Sequence, residues 1–433
     1  FLFLLCCAMP MLAGGLCAQE RDIDSLRMRL DEIDTRLAGL ASFSLQTSVG
    51  PIGWRSSDHH DADHTEWVRI DLGAEQEIDL IALVPALARG GYNAYEADAF
   101  PLRFQIIVGT EHDVEGKVIA SFSEQDAVMP RIAPLCIPCP GTRASWVKLE
   151  ATRLGQRLWD GLYVLQLAEM MVFSGQENIA LGCPLKTSSD DDYNQGARQT
   201  PFLVDGALPY LMHSPGKKTT AYFTRLEADT VATFTVDLGG VFPVNRLRMH
   251  SMDVSDTVPQ ANRANFAFPQ HLILEGALQP DFADARVLCE YVQKSMYDVS
   301  SIVQRRFAEF PCRYLRFSVP AADFVDSAEI GARVDLLGFA ELEVFAGGRN
   351  VLAGCEISAD FDDSSAHNTP AFLTDGANAY GSIIDTRDWI EQLALRHDLE
   401  TERPQVQASL DGLFSEQEQQ FALLKNLSSL IGG

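Results

Sequence analysis

The sequence predicts a mainly β protein in which β-sandwiches follow one another between an N-terminal and a C-terminal helical segment. Three observations predict it: a stretch of nineteen residues that occurs twice, short alternating apolar runs, and one order of landmarks in both halves. The stretch reads LQLAEMMVFSGQENIALGC at 165–183 and LGFAELEVFAGGRNVLAGC at 337–355. Because the copies are too far apart for a solenoid repeat, they indicate whole domains in tandem.

Composition limits the classes of function. A chain of 433 residues indicates two to four domains, and a hydrophobic content of 46% is enough for globular cores. The formal net charge is −26. Nucleic acid and anionic membrane surfaces bind clustered Lys and Arg, so neither is an expected partner.

The first 18 residues are apolar and end in small residues before Gln19. This pattern is typical of the apolar region of a signal peptide, and a membrane anchor is the alternative. We therefore expect an extracytoplasmic protein, whether secreted, periplasmic or on the cell surface. Cys136 and Cys139 have redox-motif spacing but no following helix, which favours a structural disulfide or two inert thiols. The sequence does not define pairing among the six remaining cysteines, which are Cys136, Cys139, Cys183, Cys289, Cys312 and Cys355.

Residues 20–41 form the first predicted helix. Their apolar residues recur alternately three and four apart, which is the spacing of a heptad seam. A helix of about three heptads is marginally stable alone. It therefore either dimerises the chain or packs on the first domain, and we favour self-association. The seam consists of Ile23, Leu26, Leu30, Ile33, Leu37 and Leu40.

From residue 43 onward the pattern changes to short strands. Residues 43–177 are the first predicted sandwich and residues 178–348 the second. Each holds an Asp-Leu-Gly strand, an apolar strand, a strand after Phe-Pro and an aromatic strand, and ends in the repeated stretch. The matched strands are Trp67–Gly73 with Thr233–Gly239, Ile78–Val84 with Val244–Met249, Phe104–Val108 with His271–Leu274, and Trp146–Leu149 with Tyr314–Phe317.

A third unit begins near residue 349 and does not continue as strands. The sequence FLVDGA at 202–207 returns as FLTDGA at 372–377. We interpret residues 349–385 as the start of an incomplete third repeat. Residues 386–433 have a helical pattern and stop without an obvious domain end. We therefore expect that they lead to a further module that the sequence does not include.

The order of the landmarks resembles the discoidin, or coagulation-factor type C, family, whose members are galactose-binding-like jelly-roll β-sandwiches. The resemblance covers residues 43–348. In the second unit it rests on Asp205-Gly206, Asp237–Gly239, Pro269, Arg313–Arg316 and Ala340–Val344. The first unit lacks the opening Asp-Gly and keeps Asp71–Gly73, Pro101, Trp146–Lys148 and Ala168-Glu169.

The resemblance implies a binding module with a ligand site on loops at one end and, in many members, a structural calcium ion. It implies Asp205 and Glu341 as calcium ligands of the second unit. Glu169 would be the first-unit counterpart of Glu341, and Asp375 would take the role of Asp205 in the third unit. Calcium binds six to eight oxygen atoms. The alternative is that Asp205 forms only an Asx-turn before Gly206.

Two further groups of residues are candidates for ligand or metal binding. The stretch Ser57–His64 is rich in His and Asp, which suit zinc, but its composition favours a solvated loop over a metal site. Aromatic side chains at loop tips would stack on the apolar faces of sugars. The candidate platforms are Trp54, Tyr92, Tyr95, Tyr193 and Tyr210, and the alternative for each is a ring that packs in a core.

Catalytic motifs are missing from the sequence. It contains no Gly-x-Ser-x-Gly elbow, no His-Glu-x-x-His helix and no phosphate-binding Gly loop. We therefore expect an exported non-catalytic protein that recognises carbohydrate or another cell-surface ligand through its loops. The alternatives are the sensory ectodomain of a larger membrane receptor and the accessory binding part of a secreted hydrolase.

Overall fold

A computed structural model describes residues 2–45, 53–91, 94–126, 132–190, 197–227, 230–252, 267–293, 300–327, 332–361 and 369–431. The chain divides into two compact units, which are Phe1–Ala41 with Gln392–Gly433, and Ser42–Glu391. The first unit is helical and the second consists mainly of β-strands. The predicted class, a mainly β protein with helical segments at both ends, is confirmed.

The helical unit pairs the two ends of the chain. Helix α1 (Leu2–Gly39) lies against the part of helix α2 (Thr386–Ile431) that follows residue 391. Ile23 and Leu30 of α1 form a buried apolar cluster with Leu410. Beside it, the guanidinium of Arg29 donates two hydrogen bonds of 2.7 and 2.6 Å to the carboxylate of Glu402. The helices are antiparallel, because residue 19 bonds to residue 413 whereas residue 29 bonds to residue 402.

The heptad seam of α1 is covered within the chain. The helix that covers it is α2, and the heptad pattern alone does not identify this partner. Self-association of the chain remains a prediction. Arg396 of α2 donates to the main-chain oxygens of Leu37, Leu40 and Ala41 at 2.6, 3.0 and 2.5 Å. These bonds satisfy carbonyls that a helix end leaves without partners. In the described part of the chain, neither helix has an apolar stretch long enough to cross a bilayer.

The first β-sandwich, sandwich 1, is built around a sheet in which β12, β11, β2, β7, β5 and β6 are neighbours in that order and β13 also pairs with β2. Its strands are β1 (Trp54–Arg55), β2 (Glu66–Val84), β3 (Leu87–Gly91), β4 (Ala94–Ala97), β5 (Arg103–Thr110), β6 (Asp113–Phe122), β7 (Leu135–Arg153), β8 (Gly155–Gln156), β9 (Tyr163–Val164), β10 (Gln166–Leu167), β11 (Glu169–Ser174), β12 (Glu177–Asn178) and β13 (Leu185–Thr187).

The second β-sandwich, sandwich 2, repeats this strand order as β22, β21, β15, β18, β16 and β17, with β23 paired to β15. Its strands are β14 (Tyr222–Leu226), β15 (Ala232–His250), β16 (His271–Ala277), β17 (Arg286–Val292), β18 (Ile302–Ala321), β19 (Asp323–Ser327), β20 (Ala332–Phe339), β21 (Glu341–Ala346), β22 (Arg349–Asn350) and β23 (Ile357–Ala359). A small hairpin, β24 (Ala377–Asn378) and β25 (Gly381–Ser382), precedes α2.

The Asp-Leu-Gly motif bends a long strand instead of ending a short one. In β2 the register with β7 shifts after Asp71, and Gly73 adopts a φ of 80°. In β15 the register shifts after Asp237, and Gly239 adopts a φ of 73°. In each motif the Asp carboxylate accepts a hydrogen bond from the Gly N–H. The two strands that we expected on either side of the motif are therefore one strand with a bulge.

The segment after each repeated stretch closes the sandwich that precedes it. We call residues 178–207 and 350–377 closing segments. Leu203 and Val204 belong to the core of sandwich 1, and β13 pairs with β2. Leu352 and Leu373 belong to the core of sandwich 2, and β23 pairs with β15.

The predicted boundaries are therefore corrected. The predicted boundary between residues 177 and 178 would divide the core of sandwich 1, which contains residues from both sides of it. Residues 349–385, which we interpreted as the start of a third repeat, contribute side chains to sandwich 2. The similarity between the two segments is real, but sequence does not indicate whether such a segment opens the next domain or closes the previous one.

Candidate functional site

One end of sandwich 1 presents an exposed tryptophan on a short loop. Residues 157–162, the Trp159 loop, connect β8 to β9. The side chain of Trp159 is 70% exposed, which makes it the most exposed Trp or Phe among the residues described. The guanidinium carbon of Arg157 lies 4.7 Å from the centre of its ring. This is a cation–π contact on one side of the indole.

Buried ion pairs hold Arg157 in place. Its Nη1 and Nη2 donate to the two oxygens of Asp58 at 2.7 and 3.1 Å. Its Nε donates to Asp160 at 2.8 Å, and its Nη2 makes a second contact with Asp160. Burial opposes the charge of Arg157, yet these bonds raise its pKa above the ordinary value. The hydrogen bond from Arg157 lowers the pKa of Asp160. The cation under the indole is therefore fixed and permanently charged.

The main chain of the Trp159 loop is also held at several points. The N–H of Leu158 donates to Asp98 at 2.9 Å, and the N–H of Gly161 donates to the carbonyl of Arg157 at 2.9 Å. Gly161 adopts a φ of 77°, a region that residues with a Cβ rarely enter. The tryptophan is thus presented on a loop that loses little conformational freedom on binding.

Most of the predicted aromatic platforms lie elsewhere. Trp54 is fully buried in the core of sandwich 1, where its Nε1 donates to Asp190 at 2.9 Å. Tyr210 is 1% exposed and its hydroxyl donates to the carbonyl of Ile132. Neither ring can present a face to a ligand, so these two predictions are wrong. Tyr95 is half-buried on β4, and Tyr92 and Tyr193 lie outside the described residues.

Sequence reasoning missed Trp159, although a signal was present. Trp159 directly precedes Asp160-Gly161, a dipeptide typical of tight turns. An aromatic residue at such a turn, between short strands, has no core to enter. That pattern would have predicted an exposed ring.

A buried carboxylate in sandwich 1 meets the first predicted calcium turn. Glu169, the first residue of β11, has no exposed surface. Its Oε1 accepts a hydrogen bond from the N–H of Gly206 at 3.0 Å. Asp205 forms an Asx-turn by accepting the N–H of Ala207 at 2.8 Å. Burial, and next the charge of Asp205, raise the pKa of Glu169 well above its ordinary value.

Sandwich 2 has the same arrangement. The Oε1 of Glu341 accepts the N–H of Gly376 at 3.0 Å, and Asp375 accepts the N–H of Ala377 at 3.1 Å. Burial, and next the charge of Glu343, raise the pKa of Glu341 to about 9. Asp375 also binds Lys217, with 3.0 Å between Oδ2 and Nζ.

The Asp-Gly turns at 205–206 and 375–376 do not meet the glutamates that the resemblance implied. Asp205 lies with Glu169 and Asp375 with Glu341, because each closing segment completes the preceding sandwich. The expected pairing of Asp205 with Glu341 is wrong. The first unit does not lack an Asp-Gly turn, since Asp205-Gly206 supplies it. Both Asp residues also form the Asx-turn that was the alternative interpretation.

The residues of both turns fit a hard cation. Glu169 and Glu341 each have a buried Oε2 without a hydrogen-bond partner. A buried oxygen with no partner is costly in a folded protein, and a bound ion is one way to satisfy it. In each turn a second carboxylate, from Asp205 or Asp375, is close enough to raise the glutamate pKa. Carboxylate oxygens are the ligands that calcium prefers.

Sandwich 2 carries a polar groove of about 860 Å³ on its sheet. Arg316 crosses it, with its Nε donating to Glu275 at 2.6 Å and its guanidinium 4.6 Å from the ring centre of Phe282. Arg316 and Glu275 of the groove therefore neutralise each other. Its lining includes Thr233, Asp237, Glu275, Phe282, Tyr314 and Arg316.

The six cysteines outside the N-terminal segment are free thiols. A disulfide between Cys136 and Cys139, one of the two expected outcomes, is therefore not formed, and the alternative of two inert thiols agrees with the structure. Burial raises the pKa of the Cys139 thiol to about 11, against a smaller opposite effect of Arg387. Burial also raises the pKa values of Cys289 and Cys312 to about 11. Thiols with such pKa values carry little thiolate at neutral pH and react slowly.

No protein-family model matches the chain, and no curated protein matches its sequence. Among solved structures it is similar to CBM32-3 from a family 31 glycoside hydrolase of Clostridium perfringens, with 16% identity over 33% of this chain and 79% of that chain and a TM-score of 0.20. A fucolectin from Morone saxatilis (striped bass) serum is 12% identical, over 72% of this chain and 97% of that chain, with a TM-score of 0.19. The CBM32-1 and CBM32-2 domains of Clostridium perfringens ZmpB are 10% identical, over 73% and 96%, with a TM-score of 0.22. Similarities this weak carry no argument about the ligand of this chain.

Proposed function

We propose that this chain is an exported, non-catalytic protein that binds carbohydrate through the Trp159 loop of sandwich 1. The observation that carries the proposal is an exposed indole fixed over a buried, ion-paired arginine. Tryptophan is enriched among the residues that carry binding energy, and a rigid one at a loop tip loses little conformational freedom when a ligand binds.

The chemistry of an indole face matches that of a sugar ring. Pyranose rings have one face of C–H groups, which packs on an aromatic ring and buries apolar surface. Because Trp159 is held by its loop and by Arg157, little side-chain entropy is lost on binding. The permanent charge of Arg157 on one side of the indole leaves the exposed side for the ligand.

Hydrogen-bond acceptors surround the platform. The carboxylates of Asp58 and Asp160 bind Arg157, and each carboxylate oxygen has lone pairs beyond those bonds. The side chain of Asp58 is 38% exposed. Sugar hydroxyls are donors that such oxygens accept, so the site offers a stacking surface with directional acceptors beside it.

The proposal extends to the history of the fold and to calcium. The two sandwiches have one strand order, and we take them to be copies of a single discoidin-like module. Each copy would hold a structural calcium ion through its buried glutamate and its Asx-turn, using Glu169 with Asp205 and Glu341 with Asp375. When calcium is titrated into chelator-treated protein, the wild type should take it up. The uptake should be smaller in Glu169→Gln and smallest in the double variant Glu169→Gln with Glu341→Gln. Equal uptake by all three proteins would remove calcium from the proposal.

A glycan array tests the binding function. The wild-type chain should bind a defined set of glycans, and Trp159→Ala should bind none of them above background. Phe421→Ala is the matched control, because Phe421 is another exposed aromatic side chain, 53% exposed on α2. It should give the wild-type pattern. Silence of the wild type across the array, or an unchanged signal for Trp159→Ala, would contradict the proposal.

A further inference from the structure

A second group of side chains converges beside the start of β2. His59, His64 and Glu66 place one potential ligand atom each within 4.8 Å of one another. Among the residues described, no other set of three His, Cys, Asp or Glu side chains does so. The sequence drew attention to the stretch Ser57–His64 but favoured a solvated loop, and Glu66 lies just beyond that stretch.

The main chain holds these three residues at fixed places. His59 pairs with Tyr163 through two hydrogen bonds of 2.9 Å, one in each direction. The loop that follows is held where Ala62 accepts the N–H groups of His64 and Leu154, at 2.9 and 2.8 Å. Glu66 opens β2 and is paired with the neighbouring strand β7.

The carboxylate of Glu66 is buried and oriented. It is 2% exposed. Its Oε1 accepts the hydroxyl of Ser189 at 2.7 Å and lies 2.7 Å from Nε2 of His59, and its Oε2 accepts the hydroxyl of Ser188. Hydroxyl groups that hold a ligating carboxylate in one orientation are typical of the surroundings of protein metal sites.

The two imidazoles are stacked beside the carboxylate of Glu66. The ring centres of His59 and His64 are 3.6 Å apart with an angle of 22° between the planes. One ring nitrogen of each histidine lies within 4.8 Å of a carboxylate oxygen of Glu66. Imidazole nitrogen is the commonest protein ligand of transition metals, so the stack brings two such ligands to one carboxylate.

The surroundings tolerate a cation. The nearby guanidinium groups are already paired, Arg153 with Asp63 at 2.8 Å and Arg157 with Asp58 at 2.7 Å. The chain as a whole has a net charge of −26, which attracts cations. His64 is exposed, so an ion reaches the cluster directly from solvent.

We propose that His59, His64 and Glu66 bind one divalent transition-metal ion of the zinc class. Two imidazoles and one carboxylate are a common zinc ligand set, which leaves a fourth position for water. With metal–ligand distances of about 2.1 Å, tetrahedral ligand atoms lie roughly 3.4 Å apart. The 2.7 Å contact between His59 and Glu66 must therefore open by about 0.7 Å, and the exposed His64 ring must turn out of the stack.

The test uses the full chain without a polyhistidine tag, stripped with a chelator and kept in excess calcium so that oxygen-rich sites are filled. Zinc is titrated in competition with a chromophoric chelator. We expect one equivalent per chain and a higher midpoint of thermal unfolding with zinc, because the ion binds the folded state only. Cobalt in place of zinc should give the intense visible absorption of a tetrahedral site.

Matched variants locate the site. His64→Ala removes an exposed side chain, so folding is preserved, and it should weaken zinc binding by about tenfold or more. His60→Ala removes the adjacent exposed histidine, which is not in the cluster, and should leave the affinity unchanged. Ser189→Ala should weaken zinc binding less than His64→Ala does. Absence of zinc binding in the wild type, or equal losses in His60→Ala and His64→Ala, would overturn the proposal.

Discussion

The two sandwiches place different side chains at one position of the same sheet. In sandwich 1, Met171 of β11 lies opposite Ala82 of β2, and both are buried. At the matching position of sandwich 2, Glu343 of β21 lies opposite Arg248 of β15, and these are buried too. One strand order therefore supports an apolar pair in one sandwich and an ion pair in the other.

The ion pair has a structural task that the apolar pair lacks. Arg248 donates to Glu343, to the hydroxyl of Thr386 at 3.0 Å and to the carbonyl of Ile384 at 3.0 Å. These last two residues lie where α2 begins. Burial would raise the pKa of Glu343, but the stronger combined effect of Arg248 and His250 lowers it to about 2. The comparison teaches that one strand order accommodates different buried pairs, and that the pair in sandwich 2 also fixes the chain before the C-terminal helix.

Removing one partner of this ion pair should give the largest effect on stability. Arg248→Ala leaves the carboxylate of Glu343 buried with His250 as its remaining ionisable partner, and it removes two bonds to the segment before α2. We expect a loss of about 3–5 kcal/mol in the free energy of unfolding. The midpoint of urea unfolding measures it. A loss below about 1 kcal/mol would show that the pair is not buried as described.

The double variant Arg248→Ala with Glu343→Met gives sandwich 2 the pair of sandwich 1. Replacing a buried ion pair by apolar groups is often nearly neutral. The double variant should therefore recover most of the stability that Arg248→Ala loses. If it is as unstable as the single variant, the bonds to Ile384 and Thr386 matter more than the ion pair itself.

The closing segments should matter equally to both sandwiches. Leu203→Ala and Leu373→Ala each remove a fully buried side chain from a core that the segment completes. Each should lower the free energy of unfolding by about 2–5 kcal/mol. Urea unfolding followed by hydrogen exchange should place the first loss in sandwich 1 and the second in sandwich 2. Loss of protection in sandwich 2 on Leu203→Ala would restore the original boundary after residue 177.

The buried glutamates should produce a smaller effect that depends on pH. When a chelator keeps the protein free of calcium, the pKa of Glu341 in the folded state is about 9, which is above its value in the unfolded chain. The stability that its proton provides is therefore complete below about pH 4.5 and is lost as pH rises towards 9. Glu341→Gln keeps the neutral form at every pH. At pH 8 it should be more stable than the wild type by on the order of 1–3 kcal/mol, with no gain at pH 4.5.

The pH comparison has a clear contrary result. If the difference in unfolding midpoint between Glu341→Gln and the wild type is the same at pH 4.5 and pH 8, the carboxyl group of Glu341 does not titrate in a buried site. Glu169→Gln is the matched variant in sandwich 1 and should change in the same direction, since burial raises the pKa of Glu169 as well.

Substitution at the binding platform should affect stability least. Trp159 is exposed and packs mainly on Arg157, so Trp159→Ala should change the free energy of unfolding by less than about 0.5–1 kcal/mol. Thermal unfolding checks this. A larger loss would mean that the indole supports the loop and would weaken its assignment to a ligand.

The sheet framework could be predicted from sequence because its signals are local. Alternation in the strands around Val68, Ile70 and Val236 marks one buried face, and the order of landmarks matches the two sheets. The bulges were not predicted as such, because Asp71 and Gly73 read equally as the end of a strand. The helices at both ends of the chain were predicted from their periodicity. That these two helices pair with each other was not predicted.

The parts that could not be predicted depend on contacts distant in sequence. Arg29 meets Glu402 across more than 370 positions, and no periodic pattern links them. Glu66 joins His59 only once β2 is placed against the loop before it. Trp54 looked like a loop residue because its hydrogen-bond partner, Asp190, lies far away in sequence, in the closing segment. Sequence patterns indicate which residues are apolar or polar, but the fold decides which surfaces remain uncovered.

The most direct test compares the Trp159 loop of sandwich 1 with the groove of sandwich 2. Calorimetric titration with the glycan that gives the strongest array signal should be run on the wild type, Trp159→Ala and Tyr314→Ala. The proposal predicts that Trp159→Ala weakens binding by about tenfold or more, which is about 1.4 kcal/mol, and that Tyr314→Ala leaves the affinity unchanged. Loss of binding in Tyr314→Ala with full affinity in Trp159→Ala would place the ligand in sandwich 2 and contradict the account.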